Sequence, residues 1–379
     1  MLEINALSYW EKETYINHTD FLVIGSGIVG LSTAIHLKQR HPSKKVTVLE
    51  RGYLPTGAST KNAGFACIGS PSELLADLKE QPENIVFKTV QKRWEGLKYL
   101  RQLLGDEEIE YKSLGSYELF TSSQKESFDE CIKHLDDLNT KLKTITGIDE
   151  VFKVDENICK KAGFNKFTHA IKHGAEGQIN TGKMLDGLLR LAHSKGIRIL
   201  NGIEAKKIQA QELFTNVGVF QFGKLAICTN GFAKTLLPDE DVAPARAQVV
   251  VTSPIKDLPF KGIYHFDEGY YYFRNIGNRV LFGGGRNLDF KGETTTKLET
   301  TEQIISHLEK ILRENLLPHI DFEIEHQWAG TMGVGKSKSP IVKKISDHVY
   351  CGVRLGGMGV AIGTLVGKEL AALICIKQC

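Results

Sequence analysis

Asp20-Phe-Leu-Val-Ile-Gly25-Ser-Gly27-Ile-Val-Gly30, a helical run to Arg40 and then Lys45-Val-Thr-Val-Leu-Glu50 make up the stretch that decides the fold. The apolar run ending at Gly25 has the composition of a fully buried parallel strand. Leu31, Ala34, Ile35 and Leu37 recur at helical spacing through residues 28–40. Residues 45–50 supply a second strand, so strand, helix and strand fit within about thirty residues, the span such a unit needs. The three glycines then have separate tasks. Gly25 permits the tight turn, Gly27 lets a pyrophosphate reach the backbone, and Gly30 lets helix and strand pack closely. The helix start offers free N–H groups and a positive dipole end to phosphate. Glu50 ends the second strand, where a carboxylate accepts hydrogen bonds from ribose hydroxyls.

Spacing alone does not separate NAD from FAD. The loop beyond Glu50, Gly57-Ala-Ser59-Thr-Lys61-Asn62-Ala63-Gly64, combines small residues with hydroxyls and an amide. Small residues let a flat ring system pass over the backbone, and Ser59, Thr60 and Asn62 can donate to phosphate or ring atoms; a surface turn is the plainer alternative. Near the other end, Gly352-Val-Arg354-Leu-Gly356-Gly357-Met358-Gly359-Val360-Ala361 opens a final helix. Such a helix start can aim its positive end at the N1/C2=O edge of a flavin, where negative charge gathers on reduction. The two loops together favour FAD.

Between these motifs the pattern predicts amphipathic helices over residues 84–104 and 124–144 around a strand near 117–121, and a helix from Thr181, as its cap, to Lys195, stopped by Gly196. Strands are expected at residues 224–229, 247–252, 270–274, 279–282 and 348–351, with a helix at 299–314.

The 379 residues, 41% apolar and 25% charged, suit a water-soluble protein of two intimately joined domains. The net charge of +3 is spread thinly, without the basic stripe of a nucleic-acid partner. Seven cysteines, among them Cys379, lack Cys-x-x-Cys spacing, which argues against disulfides and a metal site and for a reducing, cytoplasmic setting. The N-terminus, with Glu3, Glu11, Lys12 and Glu13, lacks the apolar core of a signal peptide. Lys368 and Glu369 interrupt the long apolar stretch from Gly356 to Ile376, so no membrane span is expected.

Taken in order, these motifs resemble the D-amino-acid oxidase-like FAD-dependent oxidoreductases, which include glycine, sarcosine and γ-glutamylputrescine oxidases. The resemblance runs from Ser8-Tyr-Trp10 through residues 23–31, Val48-Leu-Glu-Arg51 and residues 57–64. It continues in Gln178-Ile-Asn180, Cys228-Thr-Asn-Gly231, Arg279-Val-Leu-Phe-Gly-Gly284 and Trp328-Ala-Gly330, and closes in residues 356–361. The opening Ser-Tyr-Trp and the loop after Glu50 are most similar to the γ-glutamylputrescine oxidase branch. It implies an α/β fold with a Rossmann-like FAD domain around a parallel sheet, discontinuous over residues 1–80, 146–243 and 326–379. A substrate domain with a mainly antiparallel sheet would occupy residues 81–145 and 244–325. By position, Ile28 and Val29 would line the pyrophosphate and Glu50 and Arg51 the adenosine ribose. Ala63, Gly64 and Phe65 would approach the flavin, Gly231 would belong to the same site, and Ala205 would contact adenine through its backbone. Thr331, Met332 and Gly333 occupy the neighbourhood where some relatives carry a flavin-linking cysteine, which implies non-covalent FAD. Ala361 stands where sarcosine oxidases have a substrate-binding lysine, and Arg354 where the family often has glycine.

Flavin carries the redox step, so the protein has to position a substrate carbon. The expected reaction oxidises a C–N bond of a small amine or amino acid, with oxygen or a carrier as electron acceptor. Arg274 is the first candidate to hold a substrate carboxylate and Arg354 the second. Tyr270, Tyr272 and Arg274 alternate onto one strand face and are expected to share the cleft, although such residues often form a solvated face. Lys61 is a candidate for flavin or oxygen electrostatics. His265 and His326 are expected to be structural histidines and Cys67 an inert packing residue. The alternatives are a 2-hydroxy-acid dehydrogenase and a flavoprotein without turnover, with flavin-dependent RNA modification behind both.

Overall fold

The computed structural model describes residues 6–376; Glu3 and Cys379 lie outside the described residues. The chain begins with α1 (Tyr9–Glu11), which continues as a π-helical turn to Ile16, then β1 (Thr19–Ile24), α2 (Ile28–Arg40), β2 (Val46–Glu50), α3 (Ala58–Lys61) and β3 (Phe65–Ala66). Next come α4 (Pro71–Glu80), α5 (Glu83–Leu104), β4 (Ser116–Thr121), α6 (Lys125–Thr146), β5 (Phe152–Val154), α7 (Ile158–Lys161), β6 (Phe167–His173), β7 (Gly177–Gln178) and α8 (Thr181–Ser194). Strands β8 (Arg198–Asn201), β9 (Ala205–Gln209), β10 (Glu212–Thr215), β11 (Val219–Ile227), β12 (Ala243–Thr252), β13 (Ile263–Phe266), β14 (Tyr271–Ile276) and β15 (Arg279–Gly284) follow. The chain closes with α9 (Glu302–Ile311), β16 (Ile324–Val334), β17 (Ile341–Lys344), β18 (Val349–Val353) and α10 (Gly359–Cys375).

Two sheets organise these elements. The first runs β17-β18-β11-β1-β2-β8, with β9 and β10 attached at β11. Its β1, β2, β8, β11 and β18 pair in parallel, as buried apolar strands joined by crossovers do. The second runs β16-β12-β15-β14-β13-β4-β6-β5 and is antiparallel except where β13 meets β4. This pairing moves the expected domain boundaries. Strands β5 and β6 fall inside residues 146–243 yet hydrogen-bond into the second sheet, and β16 pairs with β12 across residue 326. Sheet partners of distant sequence decide that membership, and local pattern does not encode it.

The α8 cap is also corrected. Asn180, in extended backbone, accepts from Lys183 N at 3.1 Å, so Thr181 is the first helical residue. Helix α9 starts at Glu302, and its last turn opens into a π-helical stretch ending at Leu316.

Helices α2 and α10 cover one face of the parallel sheet, burying Leu31, Ile35, Val366 and Leu370. Each such side chain contributes about 1.5–3 kcal/mol on burial. Phe164, Phe260, Tyr264, Phe266, Phe273 and Phe282 build an aromatic core on the far face of the second sheet, against α9. Among the described residues no helix is long and apolar enough to cross a membrane.

Helix α5 crosses α10 at Gly96, where an added Cβ would stand 2.3 Å from the Ala361 carbonyl oxygen. Gly96→Ala should therefore force the helices apart and cost about 1–3 kcal/mol, read as a lower midpoint in chemical denaturation. His36 of α2 bonds the Tyr99 hydroxyl of α5 at 2.8 Å. Burial first, then Lys368 and Arg40, lower its pKa to about 4. The unfolded chain takes up this proton near the ordinary value of 6.5 and the folded chain does not. Stability is thus full above pH 6.5 and falls as pH drops toward 4. His36→Gln should flatten that part of a Tm-versus-pH curve.

Candidate active site

A cavity of about 580 Å³ runs between the two sheets. Its first end is built by β1, α2 and β2. The turn at Gly25 closes on itself so tightly that a Cβ on Gly30 would lie 1.9 Å from the Gly25 carbonyl oxygen. Helix α2 starts at Gly27 without a side chain of its own as cap, and Ser59 Oγ accepts from Ile28 N at 3.0 Å. Glu50 is turned into this end. Its carboxylate accepts from Ser26 N (3.1 Å), Ser26 Oγ (2.8 Å) and Gly52 N (3.0 Å), which fixes its orientation and leaves acceptor capacity. Arg51 lies 3.7 Å over the Phe232 ring and lines the same space.

Gly25, Gly27, Ile28, Val29, Glu50 and Arg51 all line the cavity, as do Ser59, Lys61, Asn62, Ala63 and Phe65. From the far segments come Ala205, Gly231, Gly356, Gly357, Met358, Gly359 and Val360. The N-terminus of α10 has no side-chain cap. A groove with two helix starts whose N-cap residues supply no side-chain cap, a carboxylate at the second strand end and an apolar middle is the donor and acceptor set that a flavin dinucleotide needs.

Several expected residues have other work. Asn62 does not offer its amide to a ligand: Nδ2 donates to Ala58 O (3.1 Å) and Ser59 O (2.8 Å), and Oδ1 accepts from Gly64 N (2.8 Å). Thr60 likewise donates to Pro55 O at 2.7 Å. Both side chains shape the loop. Ala361 is buried against α5 and stands back from the cavity wall, as do Gly30 and Gly64.

The second end of the cavity is one face of the second sheet. Register places Ile171, Glu118, His265, Tyr272, Gly283, Val249 and Trp328 side by side across seven strands. Residues abreast in a sheet share a face, so this row is the wall opposite the loop after β2. Trp328 Nε1 donates to Lys61 O at 2.9 Å and ties the row to that loop. Phe65 packs edge-on to Tyr272 at 5.5 Å.

The arginine assignments change here. Tyr270 and Tyr272 line the cavity, but Arg274 lies buried behind it. Its Nη1 donates to Ile179 O at 2.9 Å and Gly64 O at 3.5 Å, and burial lowers its pKa to about 10, still cationic at neutral pH. Arg354 is also committed. It donates to Asp241 Oδ2 at 2.6 Å and to Ser339 O at 2.9 Å, and it has a left-handed backbone with φ of 65°. These bonds hold an arginine in a conformation that glycine favours.

The arginine at the wall is Arg286, in the turn after β15. Its Nε is buried without a partner and its guanidinium stacks 5.1 Å from the Phe290 ring. The following segment is pinned by Glu293, which accepts from Arg246 Nε (2.9 Å) and Gln248 Nε2 (3.0 Å). The run Phe-Gly-Gly-Gly-Arg286 marks a strand end followed by a cation, a signal that sequence reading passed over. His265 also departs from expectation: it lines the cavity, and its Nδ1 is buried without a partner. His326 is exposed. Cys67 lines the cavity, and burial followed by Glu176 raises its thiol pKa well above the usual value. No metal-holding group of three or more His, Cys, Asp or Glu is present among the described residues.

The model of the FAD dependent oxidoreductase family matches residues 20–373. The chain belongs to that family. The flavoenzyme is 23% identical over 379 residues to the probable oxidoreductase OrdL of Rhizobium meliloti, covering 95% of this chain and 83% of the relative. It is 24% identical to the sarcosine oxidase subunit beta of Rhodobacter capsulatus, over 96% and 88%. Glycine oxidase from Geobacillus kaustophilus shares the fold at a TM-score of 0.75 and 19% identity, over 94% and 95% of the two chains. L-proline dehydrogenase from P. horikoshii does so at 0.74 and 18%, over 95% and 94%.

Glu50→Gln would place an amide N–H against the Ser26 or Gly52 donors and weaken the ribose acceptor. FAD affinity should fall about 10- to 100-fold, the cost of a charged hydrogen bond, measured by quenching of FAD fluorescence on titration with apoprotein.

Proposed function

We propose that this flavoenzyme oxidises the C–N bond of a small amino acid or related amine that carries a carboxylate. The observation behind this is the partnerless Arg286 at the wall of a cavity that is continuous with the dinucleotide groove. A guanidinium orients a planar carboxylate through paired N–H groups. The names of the relatives, sarcosine oxidase, glycine oxidase and L-proline dehydrogenase, agree with such a substrate.

FAD, when bound, supplies the acceptor for two electrons and a proton as hydride. Gly27, Ile28 and Val29 would hold its pyrophosphate, Glu50 and Arg51 its ribose end, with Ala205 at the adenine and Ala63, Phe65 and Gly357–Val360 at the flavin. The protein's own contribution is position. Arg286 would fix the carboxylate, Tyr272 and Phe65 would pack the substrate carbon, and the apolar patch of Ala63, Val249, Val251 and Leu281 would keep water away. Lys61 would add positive charge near the ring. We read the flavin as non-covalent, so acid precipitation should leave it in the supernatant. Oxygen or a carrier protein takes the electrons, and the chain works in the cytoplasm, a setting that suits six free cysteines among the described residues.

Anaerobic mixing with glycine, sarcosine, L-proline and D-amino acids should bleach the flavin absorption. Bleaching by a 2-hydroxy acid and by none of these amines would replace this function with alcohol oxidation. Arg286→Met should raise KM for the amino acid about 10- to 100-fold while a decarboxylated amine is little affected. Arg354→Met should lower Tm and leave that discrimination intact.

A further inference from the structure

An amine carbon gives up hydride only when the neighbouring nitrogen carries a lone pair, yet an aliphatic amine titrates near 10 and reaches the enzyme as ammonium. Water outside the cavity can take that proton, and so can a group within it. Most titratable groups there are unsuited. Glu176 is tied into the fold: it accepts from Ile68 N at 2.6 Å, Gly69 N at 3.1 Å and Ser116 Oγ at 2.5 Å. Glu73 accepts from Arg93 at 3.1 Å and Lys338 at 3.2 Å. Both carboxyls are held below their ordinary range even though burial opposes it, Glu176 by His173 and Glu73 by Arg93 and Lys338. Burial raises the Tyr272 hydroxyl to about 12 and the Cys67 thiol well above its usual value. Glu268 is exposed at the rim.

His265 is different. It lines the cavity, no hydrogen bond saturates its ring, and its Nδ1 is buried. Its neighbours in the row are Glu118 on β4 and Tyr272 on β14. Glu118 is 2% exposed and is covered by the residues after β3, where its carboxylate accepts from Ser72 N at 3.2 Å and from Ser72 Oγ. Burial raises the Glu118 pKa, with His265 pulling against that rise. The other ionisable groups near the imidazole are His173 and Glu176 beyond β4, paired at 3.5 Å, and Arg286 and Lys338 also line the cavity. A carboxylate beside an imidazole favours the protonated ring, and an imidazole with a free ring nitrogen facing a cavity is suited to proton transfer.

We infer that His265 accepts the proton of the substrate ammonium and that Glu118 is the positioning residue that stabilises the resulting imidazolium. The proton passes from the substrate nitrogen to the ring. The lone pair so freed would form the C=N bond of a protonated imine as the carbon loses hydride, for which FAD, when bound, would supply the two-electron acceptor. Water then hydrolyses the imine, and His265 returns its proton to solvent. This assignment rests on the amine-oxidation reading above.

Two measurements on the FAD-loaded enzyme test it. Without substrate, histidine Cε1 NMR titration with His265 assigned through H265N should give a lower His265 pKa in E118Q than in wild type, by about one unit or tenfold. An unchanged titration overturns the pairing. With whichever of glycine, sarcosine or L-proline bleaches the flavin fastest, the acidic limb of the rate-versus-pH profile should move up by one unit or more in H265N, with the wild-type rate regained at high pH. FAD content and Tm serve as controls for folding. An unmoved limb overturns the base assignment. If no amine bleaches the flavin while the NMR shift is present, amine oxidation itself is what fails, and the base assignment falls with it.

Discussion

The site depends on a buried cation that stands behind the cavity wall. Arg274 leaves the second sheet and reaches the carbonyls of Gly64 and Ile179, the first on the loop after β2 and the second just before α8. A guanidinium out of water is costly unless its N–H groups find acceptors. That requirement makes the contact specific: the loop that passes over the cavity has to present its carbonyls there. Trp328 fastens the same loop from the other side through Lys61 O. Between these two anchors, the dinucleotide groove of the first sheet is held in front of the cross-strand row of the second.

That row explains why function gathers where it does. A sheet face is a fixed array, and residues in register on neighbouring strands stand about 5 Å apart whatever their distance in sequence. Glu118, His265 and Tyr272 become neighbours through a parallel pairing followed by an antiparallel one. Gly283, next in the row, leaves room for the Tyr272 ring, since a Cβ there would meet that ring at 2.6 Å. The opposite face of the same strands carries aromatic residues packed under α9, so each strand pays for its polar wall with an apolar underside.

Arg354 and Arg286 make a further contrast. Both stand at strand ends beside glycine-rich segments, and both are available in principle to an anionic substrate. Arg354 finds Asp241 and the Ser339 carbonyl within hydrogen-bond reach and is consumed by structure. Arg286 finds an aromatic ring, which attracts a cation without satisfying its N–H groups.

The parts legible in the chain itself were those with a local cause. Hydrophobic period, glycine spacing and the acid at Glu50 marked the β1-α2-β2 unit, the loop after it and the start of α10, because each follows from contacts within a few residues. The parts that were not legible depend on how the folded backbone presents its carbonyls and, for most of them, on partners far away in sequence. Asn62 turned inward because its own loop offered carbonyls, and Arg274 did so because Ile179 lies beside it only in the folded chain. His265 gained its acidic neighbour from a strand more than a hundred residues earlier. A residue's type limits the chemistry it can do, but which partners satisfy it, and so whether it remains free to act, is set by packing.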